Sequence, residues 1–194
     1  MDRKVAAGVI GGTVLVALIL LVSLVGRDDE SLPQESSEPT IEEVIPVEPG
    51  EGIAVSLYYP NSSGSLSAEE REVAEWGTPE QGAATLLRAL LAGPTTDALV
   101  RPLPAEVGIG EIYLTPSGQL YVDLVSTELN RPPLSGSQEE LVTVFSLVDT
   151  VLLNIPEIEG MIVLWNGRQL LTFAGHVDTS LPLRAERDLI RPLR

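Results

Sequence analysis

The chain of 194 residues has no cysteine, one histidine and eight aromatic residues, and its basic residues are outnumbered 28 to 12 by acidic ones. The missing cysteine excludes disulfides, thiolate metal centres, a thiol nucleophile and a lipid-modified cysteine. A single imidazole excludes transition-metal sites built from several histidines, and cofactor-binding residues are not expected. A formal charge of −16 argues against nucleic-acid binding, which needs clustered Lys and Arg for the phosphates. With so few aromatic rings, the core must be built mainly from Leu, Val, Ile and Ala.

What is present is unevenly distributed. Val5 to Val25 runs 21 residues without a charge, and as a helix it would span roughly 31 Å, the hydrocarbon thickness of a bilayer. No convincing A-x-A cleavage site follows it, so the expectation is an uncleaved transmembrane signal anchor over residues 5–26, with a cleaved signal peptide as the alternative. Arg3 and Lys4 precede the run, whereas Arg27 is followed by Asp28, Asp29 and Glu30. The positive-inside bias leaves residues 1–4 in the cytoplasm and everything after Arg27 outside a bacterial inner membrane. Residues 27–52 hold nine acidic residues, one basic residue and four prolines, a composition expected to form a disordered spacer.

After Gly52 the texture becomes periodic. Ile53 to Tyr59 reads as a strand stopped by Pro60, Asn61 and Gly64. Thr78-Pro79-Glu80-Gln81 is a capping box opening a helix whose apolar stripe is Ala83, Leu86, Leu87, Leu90 and Leu91, ended by Gly93-Pro94. Ile109 to Thr115 and Gln119 to Val125 read as strands joined by a short turn. Ser137-Gln138-Glu139-Glu140 reads as a second capping box, opening a helix with Leu141, Val144, Phe145, Val148, Leu152 and Ile155 on its stripe. Met161 to Trp165 and Gln169 to Phe173 flank Asn166-Gly167, a two-residue hairpin signal. The order β-α-β-β-α-β-β predicts an α+β domain over 53–183, with a small, mostly antiparallel sheet carrying two helices on one face, and a basic tail at 184–194.

No serine sits in a nucleophile elbow, and the glycines form no phosphate-binding loop, so neither a hydrolase triad nor nucleotide binding is supported. Asp123, Asp149 and Asp178 are the carboxylates nearest apolar segments, and no catalytic residue is expected among them. Trp76 and Trp165 are candidates for contact or for closing the fold, a packed core explaining each at least as well. FAGHVDTS (Phe173–Ser180) contains the one histidine, so His176 and Asp178 are candidates for contact or for closing the fold.

VSLYYP (55–60), LLAGP (90–94), YVDLVSTEL (121–129), DTVLLNIPEIEGMIVLWNG (149–167) and GHVDTSLPL (175–183) follow one another as in the GerMN domain family, which the chain resembles over residues 53–183. The resemblance implies a non-catalytic extracytoplasmic α+β domain, similar to ring-building motifs of envelope secretion assemblies. Such a domain would act through a protein partner or self-association in sporulation, germination or envelope assembly. Family members are often anchored through a lipidated cysteine, and here the apolar helix would serve instead. The alternatives are a module binding cell-wall glycan or peptide and, further off, a carboxylate-dependent wall hydrolase.

Overall fold

The computed structural model describes residues 52–134 and 136–193. The expected transmembrane span and the acidic spacer up to Glu51 lie outside them. Among the described residues no helix is long and apolar enough to cross a membrane.

Strands β1 (Ile53–Pro60) and β2 (Leu66–Val73) form an antiparallel hairpin, in register from Ile53 opposite Val73 to Pro60 opposite Leu66. Asn61 organises the turn, its Oδ1 accepting from the N–H groups of Ser63 (3.0 Å) and Ser65 (3.2 Å), with Gly64 at a φ of 71°. The sequence reading leaves β2 out, because LSAEEREV is charged on both faces. Glu69 and Arg71 point inward, opposite Leu57 and Val55. They bond each other, and Glu69 also accepts from Thr95 N (2.9 Å) while Arg71 donates to Gly93 O (2.9 Å). With its inward charges satisfied by a loop distant in sequence, β2 shows no apolar alternation.

Helix α1 (Pro79–Leu91) starts where the capping residues place it, with Thr78 Oγ1 accepting from Gln81 N (3.3 Å), and buries Gly82, Ala83, Leu86, Leu87 and Leu90. Strands β3 (Gly108–Leu114) and β4 (Gln119–Val125) pair antiparallel, and β4 buries Leu120, Val122 and Leu124 on one face. Strand β5 (Gly160–Trp165) lies parallel to β4, and the two-residue β6 (Arg168–Gln169) completes a four-stranded sheet in the order β3-β4-β5-β6. The α+β class with two helices therefore stands, but the single, mostly antiparallel sheet becomes two sheets with a parallel pair at the centre of the larger. The parallel pairing follows from α2 (Ser137–Leu152), which carries the chain back to the start of β5.

Helix α2 does more than cross over. Its polar side chains at four-residue steps bond the outer edge of β1. Ser146 Oγ donates to Tyr58 O (2.6 Å) and Thr150 Oγ1 accepts from Tyr58 N (3.0 Å), while Asn154, just past the helix, accepts from Ser56 N (3.1 Å) and donates to Ser56 O (2.8 Å). The helix takes the place of a third strand. Its N-cap is Gly136, without a side-chain cap, so the expected Ser137–Glu140 capping box does not form. Glu140 is fully buried and engaged elsewhere.

One expectation near the C-terminus also changes. The strand expected over Gln169 to Phe173 stops at Gln169, because residues 171–179 fold back on themselves through the Phe173 N to Val177 O (3.0 Å) and Thr179 N to Leu171 O (3.0 Å) bonds. The basic tail expected at 184–194, with Leu183 just before it, is bonded to the fold at three points. Leu183 pairs with Met161, Glu186 N donates to Asp149 Oδ1 (2.8 Å), and Arg191 N donates to Leu66 O (2.7 Å). Backbone groups of β5 and β2 and the Asp149 carboxylate of α2 take their partners from the tail.

Candidate interaction site

The ends of β4 and β5 support two loops. Ser126 N donates to Asn166 Oδ1 (2.9 Å), and Ser126 Oγ accepts from Leu129 N (3.2 Å). Leu129 O in turn accepts from Trp165 Nε1 (3.2 Å) and Asn166 Nδ2 (3.2 Å). Asn166 has a positive φ of 50° and Gly167 one of 73°, the backbone of a tight hairpin turn. Trp165 is only 2% exposed and meets Phe173 edge-on at 6.0 Å and 81°. It serves the core, the packed role that the sequence leaves open beside contact.

The second loop is organised by Glu140. Its Oε1 accepts from Ala174 N (2.7 Å) and Val177 N (2.9 Å), and its Oε2 from His176 N (2.9 Å), with His176 Nδ1 at 2.8 Å from the same oxygen. Gly175 adopts a φ of 126°, a conformation closed to most side chains, which turns these N–H groups toward one carboxylate. Burial works to raise the Glu140 pKa, but the N–H groups of Ala174 and Val177 and the ring and N–H of His176 outweigh it, holding the carboxyl below its ordinary value.

His176 therefore pairs with Glu140 and makes no bond to Asp178. Asp178 is exposed and accepts from Ser180 N (2.9 Å) and Ser180 Oγ (2.6 Å). Asp123 accepts from Gly167 N (2.8 Å), and Asp149 is buried and accepts from Glu186 N (2.8 Å). Each of the three aspartates is thus committed to a different backbone N–H. No group of three or more His, Asp or Glu that could hold a metal ion occurs among the described residues.

Between the two loops lies a groove of about 840 Å³, walled by Leu129, Pro133 and Leu134 on one side and Leu170, Phe173 and Gly175 on the other. The same loop carries Leu171, 81% exposed, and Leu181 beyond it is 68% exposed. Trp76 is not here. Half-buried, it stacks on α1 so closely that a Cβ on Gly82 would lie 2.7 Å from the indole, and it lines a separate recess of about 460 Å³ with Glu75, Glu80 and Arg88.

Sequence reasoning missed Glu140, the residue on which the second loop depends. A signal was there, because Glu140 falls at helical spacing with Val144, Leu147 and Val151, all buried, and an acid on such a stripe needs a buried partner.

Residues 56–171 match the profile of a family described as "Germane: Sporulation and spore germination". No curated protein matches the sequence. Among solved structures, the first GerMN domain of the sporulation protein GerM from Bacillus subtilis aligns at a TM-score of 0.54 and 19% identity, covering 68% of this chain and 97% of that one. The tandem GerMN domains of the same protein align at 0.53 and 15%, covering 71% of this chain and 47% of theirs, so the chain spans about half that length. The fold is thus shared with both, and the profile match over more than half its length shows that the chain belongs to the Germane family of sporulation and spore germination.

Proposed function

We propose that this is a non-catalytic contact domain, held outside the cell membrane by the apolar segment Val5–Val25 and serving assembly of an envelope, sporulation or germination complex. The observation that carries the reading is the groove with the solvent-exposed Leu171 beside it, on a loop fixed by four contacts to Glu140. A rigid surface with apolar walls and the polar Glu128, Asn130 and Arg131 at its margin is suited to an envelope protein partner or to a second copy of the chain, since little ordering entropy is lost on binding. Tethering lowers the affinity required. A photo-crosslinking amino acid at position 171 of the full chain in membranes should give one discrete protein adduct, lost on Leu181→Asp. Adducts no stronger than from exposed Glu106, far along the chain, would sink the proposal.

The Trp76 recess favours a second reading, binding of cell-wall glycan or peptide, because an indole beside carboxylates and a guanidinium can stack on a sugar ring and bond its hydroxyls. On that reading Trp76→Ala should cut retention of the full chain on purified cell wall at least tenfold. Unchanged retention would dismiss it.

A further inference from the structure

β2 has an unpaired edge. Because the N–H and C=O groups of Ser56 and Tyr58 point to α2, their partners across the hairpin, Glu70 and Ala68, direct their own N–H and C=O groups away from β1. Glu72, opposite Ala54, continues the alternation. Ala68, Glu70 and Glu72 are all exposed. The edge therefore offers three consecutive donor–acceptor sites over a stretch of five residues, and none has a partner on that side among the described residues.

The edge is already competent to pair. At its start Ile190 lies parallel to Leu66, and Arg191 N donates to Leu66 O (2.7 Å). The tail's next carbonyl, Arg191 O, accepts from Ser67 Oγ (2.8 Å) and from no backbone N–H of β2, so the ladder ends there. The remaining sites are flanked by the outward side chains of Glu70 and Glu72. A second copy added by its own β2 would set these glutamates against like charges, which disfavours that occupant.

From this geometry we infer that the β2 edge, from Ala68 to Glu72, receives an extended segment of a partner protein with Lys or Arg at alternate positions, by strand addition. Backbone bonds give the attachment, and cross-strand pairs with Glu70 and Glu72 select the basic sequence. The surface is separate from the groove beside Leu171 and does not depend on the reading given to it.

A fluorescent octapeptide of alternating Lys and Thr, titrated onto the full chain in detergent micelles, tests this. The peptide should bind and slow amide exchange at Ala68, Glu70 and Glu72. Methylating its backbone nitrogens should weaken binding at least tenfold, and Glu70→Lys with Glu72→Lys should weaken it as much while admitting the corresponding Glu-Thr peptide. Equal binding by the methylated peptide would reduce the interaction to bulk charge attraction and overturn the inference. So would unchanged exchange at the three amides, or a chain that dimerises through this edge.

Discussion

Glu140→Ala should lower the unfolding free energy of the full chain by about 3 kcal/mol or more, since each N–H left buried without its acceptor costs about 1–3 kcal/mol. Three N–H groups, of Ala174, His176 and Val177, lose their acceptor at once, together with the His176 ring. Glu140→Gln should fall between wild type and Ala. It keeps the oxygen that serves Ala174 and Val177 but turns an NH2 toward the N–H of His176, two donors face to face. The pH dependence has a definite sign. A folded pKa held below the ordinary 4.5 contributes stability that is present above about pH 4.5 and lost as the pH falls through the folded value. The Ala variant should therefore have a flatter acid limb than wild type. Urea unfolding at pH 7 and pH 3.5, with amide exchange at residues 174–177, checks both points. An unchanged midpoint with protected amides would show that the loop does not need the carboxylate.

How much of this was legible in the sequence depends on where each element finds its partners. α1 was readable because Thr78, Pro79, its leucine stripe and Gly93 act within one helix. β4 and the Asn166-Gly167 turn were readable for the same reason, one by alternation and the other by backbone conformation. β2 was hidden, since its inward Glu69 and Arg71 are made tolerable by Thr95 and Gly93, more than twenty residues away. Glu140 looked like a helix cap because a local pattern offered it that role. Its actual donors lie 34 to 37 residues downstream, and nothing local signals them. The tail read as a basic extension for a similar reason: its anchors on Met161, Asp149 and Leu66 are remote. The candidate surface inherits this division, for the groove rests on Glu140 and Trp165, whose burial is a tertiary fact.

Asp149 should behave in the opposite sense to Glu140. Burial, the largest effect, raises its pKa from 3.8 to about 6, the Glu186 N–H acts against this, and the Glu186 carboxylate adds to it while Arg187 opposes. Its Oδ2 is buried without a hydrogen-bond partner, so the ionised form is poorly solvated. A raised folded pKa contributes stability that is fully present below about pH 3.8 and lost as the pH rises through about 6. A shift of this size corresponds to about 3 kcal/mol, withdrawn between those two pH values. Asp149→Asn keeps an oxygen for Glu186 N and has no charge to bury. It should be more stable than wild type at pH 7.5 by up to about 3 kcal/mol, with the difference gone by pH 4, where the native carboxyl is neutral too. Because α2 holds the tail through this residue, amide exchange at Glu186 in wild type should slow as the pH is brought from 7.5 to 5, after correction for the intrinsic rate. If Asp149→Asn and wild type instead show parallel stability curves from pH 4 to 8, the buried carboxylate is solvated by something other than the protein groups around it, and the tail is not under its control.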